Sequence, residues 1–129
     1  MPRALLTIST LPHRYAICRL DSAAPLPKWA MQGTFWSMIR TADEMSIVCL
    51  ETYVPPDVTH ENGWRILKCE GPLDFALTGI MASIAEPLAD AGVSIFPLAT
   101  YETDYVLVKE AALESASNAL TSYGHVVNV

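Results

Sequence analysis

The chain predicts an α+β fold, a strand-rich first half followed by a second half in which two helices alternate with four strands. Three observations carry this expectation. Residues 5–51 contain four short runs rich in Ile, Val, Tyr, Phe, Trp and Thr, separated by polar or proline-containing breaks. Residues 77–88 and 113–123 repeat apolar side chains at three- and four-residue steps, the spacing of one helix face. No apolar run approaches the ~18 residues of a membrane span.

Taken in order, strands are expected at 5–9, 15–20, 35–40 and 45–51. Thr41-Ala42-Asp43-Glu44 reads as a tight connection between the last two. Residues 25–31 suit one helical turn, with Pro27 near its start. Residues 54–63 read as a linker, since Pro55, Pro56 and the polar turn residues after them do not propagate helix or central strand. A strand at 64–69 stops at Gly71-Pro72. Leu77, Ile80, Met81, Ile84 and Leu88 then line one helix face, with Asp74 as the expected N-cap and Gly92 as the stop. Pro87 lies inside that helix and removes the backbone donor to the Ser83 carbonyl, so a kink or restart is expected there. Strands at 93–100 and 104–108 flank the turn Tyr101-Glu102-Thr103. Leu113, Ala116, Leu120 and Tyr123 mark a second helix ending at Gly124, and 126–129 makes a last strand. The order after residue 63 is β-α-β-β-α-β, a ferredoxin-like arrangement with both helices on one face of an antiparallel sheet.

Composition narrows the function classes. With 51% hydrophobic and 17% charged residues, the chain has too much apolar content to stay disordered. Met1-Pro2-Arg3 and the short apolar run after it are too brief for a secretory signal, so a soluble, cytoplasmic protein is expected. Cys18, Cys49 and Cys69 are widely spaced among Ile, Val and Leu and read as small buried hydrophobes. No CxxC pair supports a metal site. Residues 70–129 hold eight acids against Lys109 alone. That balance repels phosphate backbones and anionic lipid, so neither a nucleic-acid nor a membrane partner is expected.

Two internal matches suggest related lobes. Thr41 to Cys49 aligns with Thr100 to Val108 as threonine, acid, then strand, and Tyr15 to Asp21 resembles Trp64 to Glu70. The run from Gly71-Pro-Leu-Asp-Phe-Ala-Leu-Thr-Gly-Ile80, continued through Ser83 to Phe96 and Ala99 to Val108, resembles an ACT domain. The likeness is close over 63–125 and looser over 1–55. It implies two ACT-like lobes in tandem, a degenerate one at 1–59 and a fuller one at 60–129, each built on the βαββαβ order. It further implies a non-catalytic regulatory or sensor module that binds a small molecule, usually an amino acid, needs no cofactor, and pairs ACT units in a homodimer. The alternative is an assembly module that pairs in the same way and binds no metabolite. Carried onto this chain, the family's ligand site has a loop side of Asp74, Phe75, Leu77, Thr78, Gly79 and Ile80, and a strand side of Thr100, Tyr101 and Asp104. Arginine-sensing members have an acid where this chain has Leu77, which weakens the case for arginine here.

The chemistry of those residues agrees with that placement. A helix N-terminus offers unpaired N–H groups to a carboxylate, and glycine permits close approach. Asp104 suits an amine, with Thr100 as a neutral second contact. Leu77, Ile80 and Phe75 would leave an apolar or small side-chain pocket. Each also has a plain structural role, as N-cap, first-turn hydrogen bond, packing glycine, hairpin residue or ordinary strand residue. Enzymatic signals are weak. His13, His60 and His125 show no metal-ligand spacing, and no nucleophile elbow or phosphate loop occurs. A Cys–His hydrolase built from Cys69 and His125 is the remaining catalytic alternative.

Overall fold

The computed structural model describes residues 5–71 and 78–128. They fall into two compact units, one spanning His13–Trp64 and the other joining residues up to Pro12 with those from Arg65 onward. Strand β5, Thr59–Cys69, contributes its first half to one unit and its second half to the other.

In the His13–Trp64 unit, strands β2 (Tyr15–Leu20), β3 (Ser37–Arg40) and β4 (Met45–Leu50) join the start of β5 in the order β3-β4-β2-β5. All the pairings are antiparallel. Where an ACT order has helices, this unit has two three-residue 3-10 turns, Lys28–Ala30 and Glu51–Tyr53. Pro27 precedes the first of them, as expected. One sheet face gathers Ala16, Cys18, Met45, Ile47 and Cys49 beneath Ala24, Trp29 and Ala30. Period-two alternation puts exactly one side chain in two on that face. On the other face Tyr15 meets Phe35 edge-on, ring centroids 5.8 Å apart.

The linker expected at 54–63 is shorter than that. Residues from Thr59 already pair with β2, Arg19 opposite Thr59 and Cys18 opposite His60. The register slips between Tyr15 and Ile17, and Gly63 has φ +83°. A glycine in the left-handed region accommodates an extra residue as a bulge, so polar, glycine-containing sequence still propagates a strand. Glu51 Oε1 accepts from the Gly63 amide at 2.9 Å.

The second unit contains β1 (Thr7–Thr10), the end of β5, α1 (Ile80–Asp90), β6 (Phe96–Ala99), β7 (Asp104–Lys109), α2 (Leu113–Tyr123) and β8 (Val126–Asn128). Its order is β6-β7-β5-β1-β8. The N-terminal strand thus enters beside β5, antiparallel, and β8 pairs outside it in parallel, with Ile8 opposite Val127. The expected four-stranded sheet becomes five-stranded, because a non-local strand takes the position that the local sequence assigns to β8. Ile8, Leu67, Cys69, Val106 and Val108 pack against Ile84, Leu88, Ala116 and Leu120 of the helices.

Helix α1 starts later than the sequence suggests. Its N-cap is Gly79, at φ +75°, so Asp74 is not the cap. Asp74, Phe75 and Leu77 lie outside the described residues. The C-terminus is as expected. Gly92, at φ +73°, donates to the Ala89 carbonyl and Val93 to that of Leu88, closing a Schellman motif whose flanking side chains Leu88 and Val93 both enter the core. Gly124 and His125 close α2 with the same two bonds, to Thr121 and Leu120.

Pro87 does not restart α1, which runs unbroken from Ile80 to Asp90. The Ser83 carbonyl that proline leaves without its helical donor is bonded by His125 Nε2 at 2.7 Å. The Leu6 amide donates to His125 Nδ1 at 3.0 Å, which assigns the proton to Nε2. The ring stacks on Tyr123 at 5.3 Å and is 3% exposed.

Candidate functional site

Strand alternation places the site. Leu67 and Cys69 of β5 point into the apolar cluster, so Lys68 between them points the other way. With Gly71 it borders a cleft of about 270 Å³. The rest of the lining comes from the β6–β7 connection, Thr100 through Thr103, and from Tyr105. Lys68 Nζ lies 3.5 Å from Glu70 Oε1.

The connection is rigidified by threonine. The Thr100 amide donates to the Thr103 carbonyl at 2.9 Å, and the Thr100 hydroxyl bonds that same carbonyl at 3.2 Å. Thr103 is itself buried, its hydroxyl donating to the Cys69 carbonyl and tying the turn to β5. Tyr101 is 81% exposed at the rim. The cleft therefore offers one ammonium (Lys68), one carboxylate (Glu102), two phenol rings and the polar groups of a fixed turn.

The other unit repeats this turn. The Thr41 amide donates to the Glu44 carbonyl at 2.8 Å, and the Thr41 hydroxyl accepts from the amides of Asp43 and Glu44 at 3.1 Å. Thr41 and Thr100 are the residues that the internal sequence match aligns. Arg19, the counterpart of Lys68 in the match of Tyr15–Asp21 to Trp64–Glu70, donates to the Asp43 carbonyl of its own turn at 3.1 Å.

Of the expected site residues, Thr100 and Tyr101 line the cleft. Asp104 is not among its lining; it opens β7 opposite Ala99 and is half-buried. Its charge and that of Glu70 add to burial, the leading cause, in pushing the Cys69 thiol up to about 12. Thr78 and Gly79 are exposed just before α1, and Ile80 is buried at its first turn. Sequence reasoning missed Lys68, Gly71, Glu102, Thr103 and Tyr105. The available signal was the match of Trp64–Glu70 to Tyr15–Asp21, which puts a basic residue at the end of both strands.

The Cys–His alternative has no chemical basis here. Both ring nitrogens of His125 are engaged with backbone groups, and Cys69 is a buried thiol that resists ionisation. Among the described residues no helix is long and apolar enough to cross a membrane.

Comparison with known proteins gives a consistent pattern. The ACT domain model matches residues 59–122, and a second model, for an N-terminal domain, matches 13–57. The solved protein Atu0741 of Agrobacterium tumefaciens is 38% identical, covering 98% of this chain and 93% of its own, with a TM-score of 0.90. The human cytosolic arginine sensor for mTORC1 subunit 1 is 40% identical over 58 residues, a stretch that spans 44% of this chain and only 18% of the sensor. The regulatory subunit of aspartate kinase from Thermus thermophilus shares the fold, with a TM-score of 0.60 at 11% identity over 94% of this chain and 99% of that one.

Proposed function

The chain belongs to the ACT-domain family, and from that premise we propose that it is a non-catalytic regulatory module that binds a small molecule, an amino acid, at the cleft beside Lys68 and Thr100. The observation that carries this reading is a cleft lined by both an ammonium, Lys68, and a carboxylate, Glu102, beside a hydrogen-bonded turn. A zwitterion needs both. Lys68 takes the ligand carboxylate, and Glu102 with the turn oxygens takes the amine. In this reading the loop entering α1, with Asp74, Phe75, Leu77, Thr78, Gly79 and Ile80, forms the facing wall, and Asp104 adds acceptor charge behind the turn. The cleft volume of about 270 Å³ falls below the ~300–1,000 Å³ of drug-sized pockets, which suits a ligand no larger than an amino acid. The arginine sensor is named as cytosolic, which supports a cytoplasmic location for this chain as well. The two lobes implied by the sequence, 1–59 and 60–129, belong to the same reading.

A thermal-shift screen of the amino acids tests it. A ligand at 100 times its Kd stabilises the native state by about 2.7 kcal/mol, a rise in Tm on the order of 10 °C for a domain of this size. We expect a shift with at least one amino acid, abolished in Lys68→Ala and reduced in Thr100→Ala and Asp104→Ala. A flat response to every amino acid sinks the ligand reading and leaves assembly. One observation favours assembly as the second reading: β3 and β8 end their sheets with Ile39 at 52% and Val126 at 57% exposure, and open strand edges invite pairing with a second copy.

A further inference from the structure

We propose that Cys18 and Cys49 form a buried dithiol that hydrogen peroxide converts, reversibly, into an intrachain disulfide. The two residues sit on adjacent antiparallel strands, Cys18 opposite Ile47 and Cys49 opposite Ala16, so they are diagonal neighbours on one sheet face. Both belong to the same buried cluster. Their thiols are in hydrogen-bond contact, with Cys18 as donor. That bond holds the proton on Cys18 and draws Cys49 below the usual thiol range against the opposing effect of burial. The contact therefore favours loss of a single proton from the pair, so that one sulfur attacks, here Cys49, and the other resolves.

The chemistry balances without any further reagent. The Cys49 thiolate attacks one peroxide oxygen, the O–O bond breaks, and the departing hydroxide takes the Cys18 proton to become water. The Cys18 thiolate then attacks the Cys49 sulfenic acid. The S–S bond forms as the S–O bond breaks, and the second hydroxide takes up the proton first released by Cys49. The sulfurs lose two electrons and the peroxide ends as two waters.

Access comes through the cover. The cluster is capped by Ala24, Trp29 and Ala30 from the stretch between β2 and β4, whose only helical element before β3 is the turn Lys28–Ala30. A cover without regular structure opens locally at less cost than the sheet beneath it. A bond across the diagonal strains the β2–β4 ladder, and strained disulfides are the readily reduced ones.

The test is a peptide map of the intact protein after hydrogen peroxide treatment, with free thiols alkylated in denaturant. We expect loss of two thiols, a linked peptide containing Cys18 and Cys49, alkylated Cys69 as the internal control, and reversal by dithiothreitol. Cys69→Ser leaves the link intact, whereas Cys18→Ser abolishes it. Survival of all three thiols, a link through Cys69 or to a second chain, or conversion of Cys49 to sulfinic acid without a link overturns the proposal. The wild-type map decides the matter even if a cysteine variant does not fold.

Discussion

At the scale of single residues, the most consequential contact is between Pro87, Ser83 and His125. Proline leaves the Ser83 carbonyl without its helical donor, and a side chain 42 positions after Ser83 supplies one. His125→Phe keeps the ring and its stacking but leaves the Ser83 carbonyl and the Leu6 amide without these partners. Each orphaned group costs ~1–3 kcal/mol, so we expect about 2–4 kcal/mol of destabilisation in urea unfolding. Pro87→Ala restores a helical donor to Ser83, so His125→Phe should cost less in that background. Additivity of the two substitutions to within ~0.5 kcal/mol would contradict the account. Cys69 supports a pH prediction. Its thiol ionises more easily in the unfolded chain than in the fold, where burial pushes it up to about 12. The stability it contributes is complete below the unfolded value near 9 and is lost as pH rises toward 12. Unfolding midpoints should fall through that window, with a slope of up to ~1.4 kcal/mol per pH unit from this group, and Cys69→Ala should flatten the fall.

At the scale of elements, the Schellman closure of α1 gives a clean test. A Cβ at Gly92 meets no atom within 4 Å, yet φ is +73°. Gly92→Ala should therefore cost ~1–2 kcal/mol through backbone conformation alone, and Gly92→Asn less, since asparagine tolerates that region. Measured Tm values should rank glycine, asparagine, alanine. The helices were legible because Ile80, Ile84 and Leu88, then Ala116 and Leu120, repeat at the spacing of a buried face. Their stops were legible because Gly92 and Gly124 have a stereochemical reason to be there. The start of α1 was not, since Asp74 is a good cap chemically and Gly79 caps it through backbone conformation instead. The strand at 59–63 was hidden by polar residues whose extra length a bulge absorbs. Within the candidate site, Thr100 and Tyr101 were legible from the turn. Lys68 was not, because a charged side chain between buried apolar ones in a strand reads equally well as a solvated face.

At the scale of the molecule, the position of β1 governs what can be cut away. A fragment of residues 60–129 contains the whole βαββαβ order but lacks Ile8, a core residue, and the partner of β8. We expect it to show little native structure by circular dichroism. Appending residues 5–12 after its end through about ten flexible residues, with a reach of ~16–19 Å, should restore a cooperative transition. A fragment that folds equally well without them would sink this prediction. The same placement bears on biosynthesis. The ribosome makes β1 before the other described strands and β8, at Val126–Asn128, after them. At ~5–20 residues per second the interval is on the order of ten seconds, during which the opening strand waits with its outer edge unsealed. The nascent chain is most exposed to mispairing along that edge then, because β5 covers one side of β1 early and β8 covers the other only later.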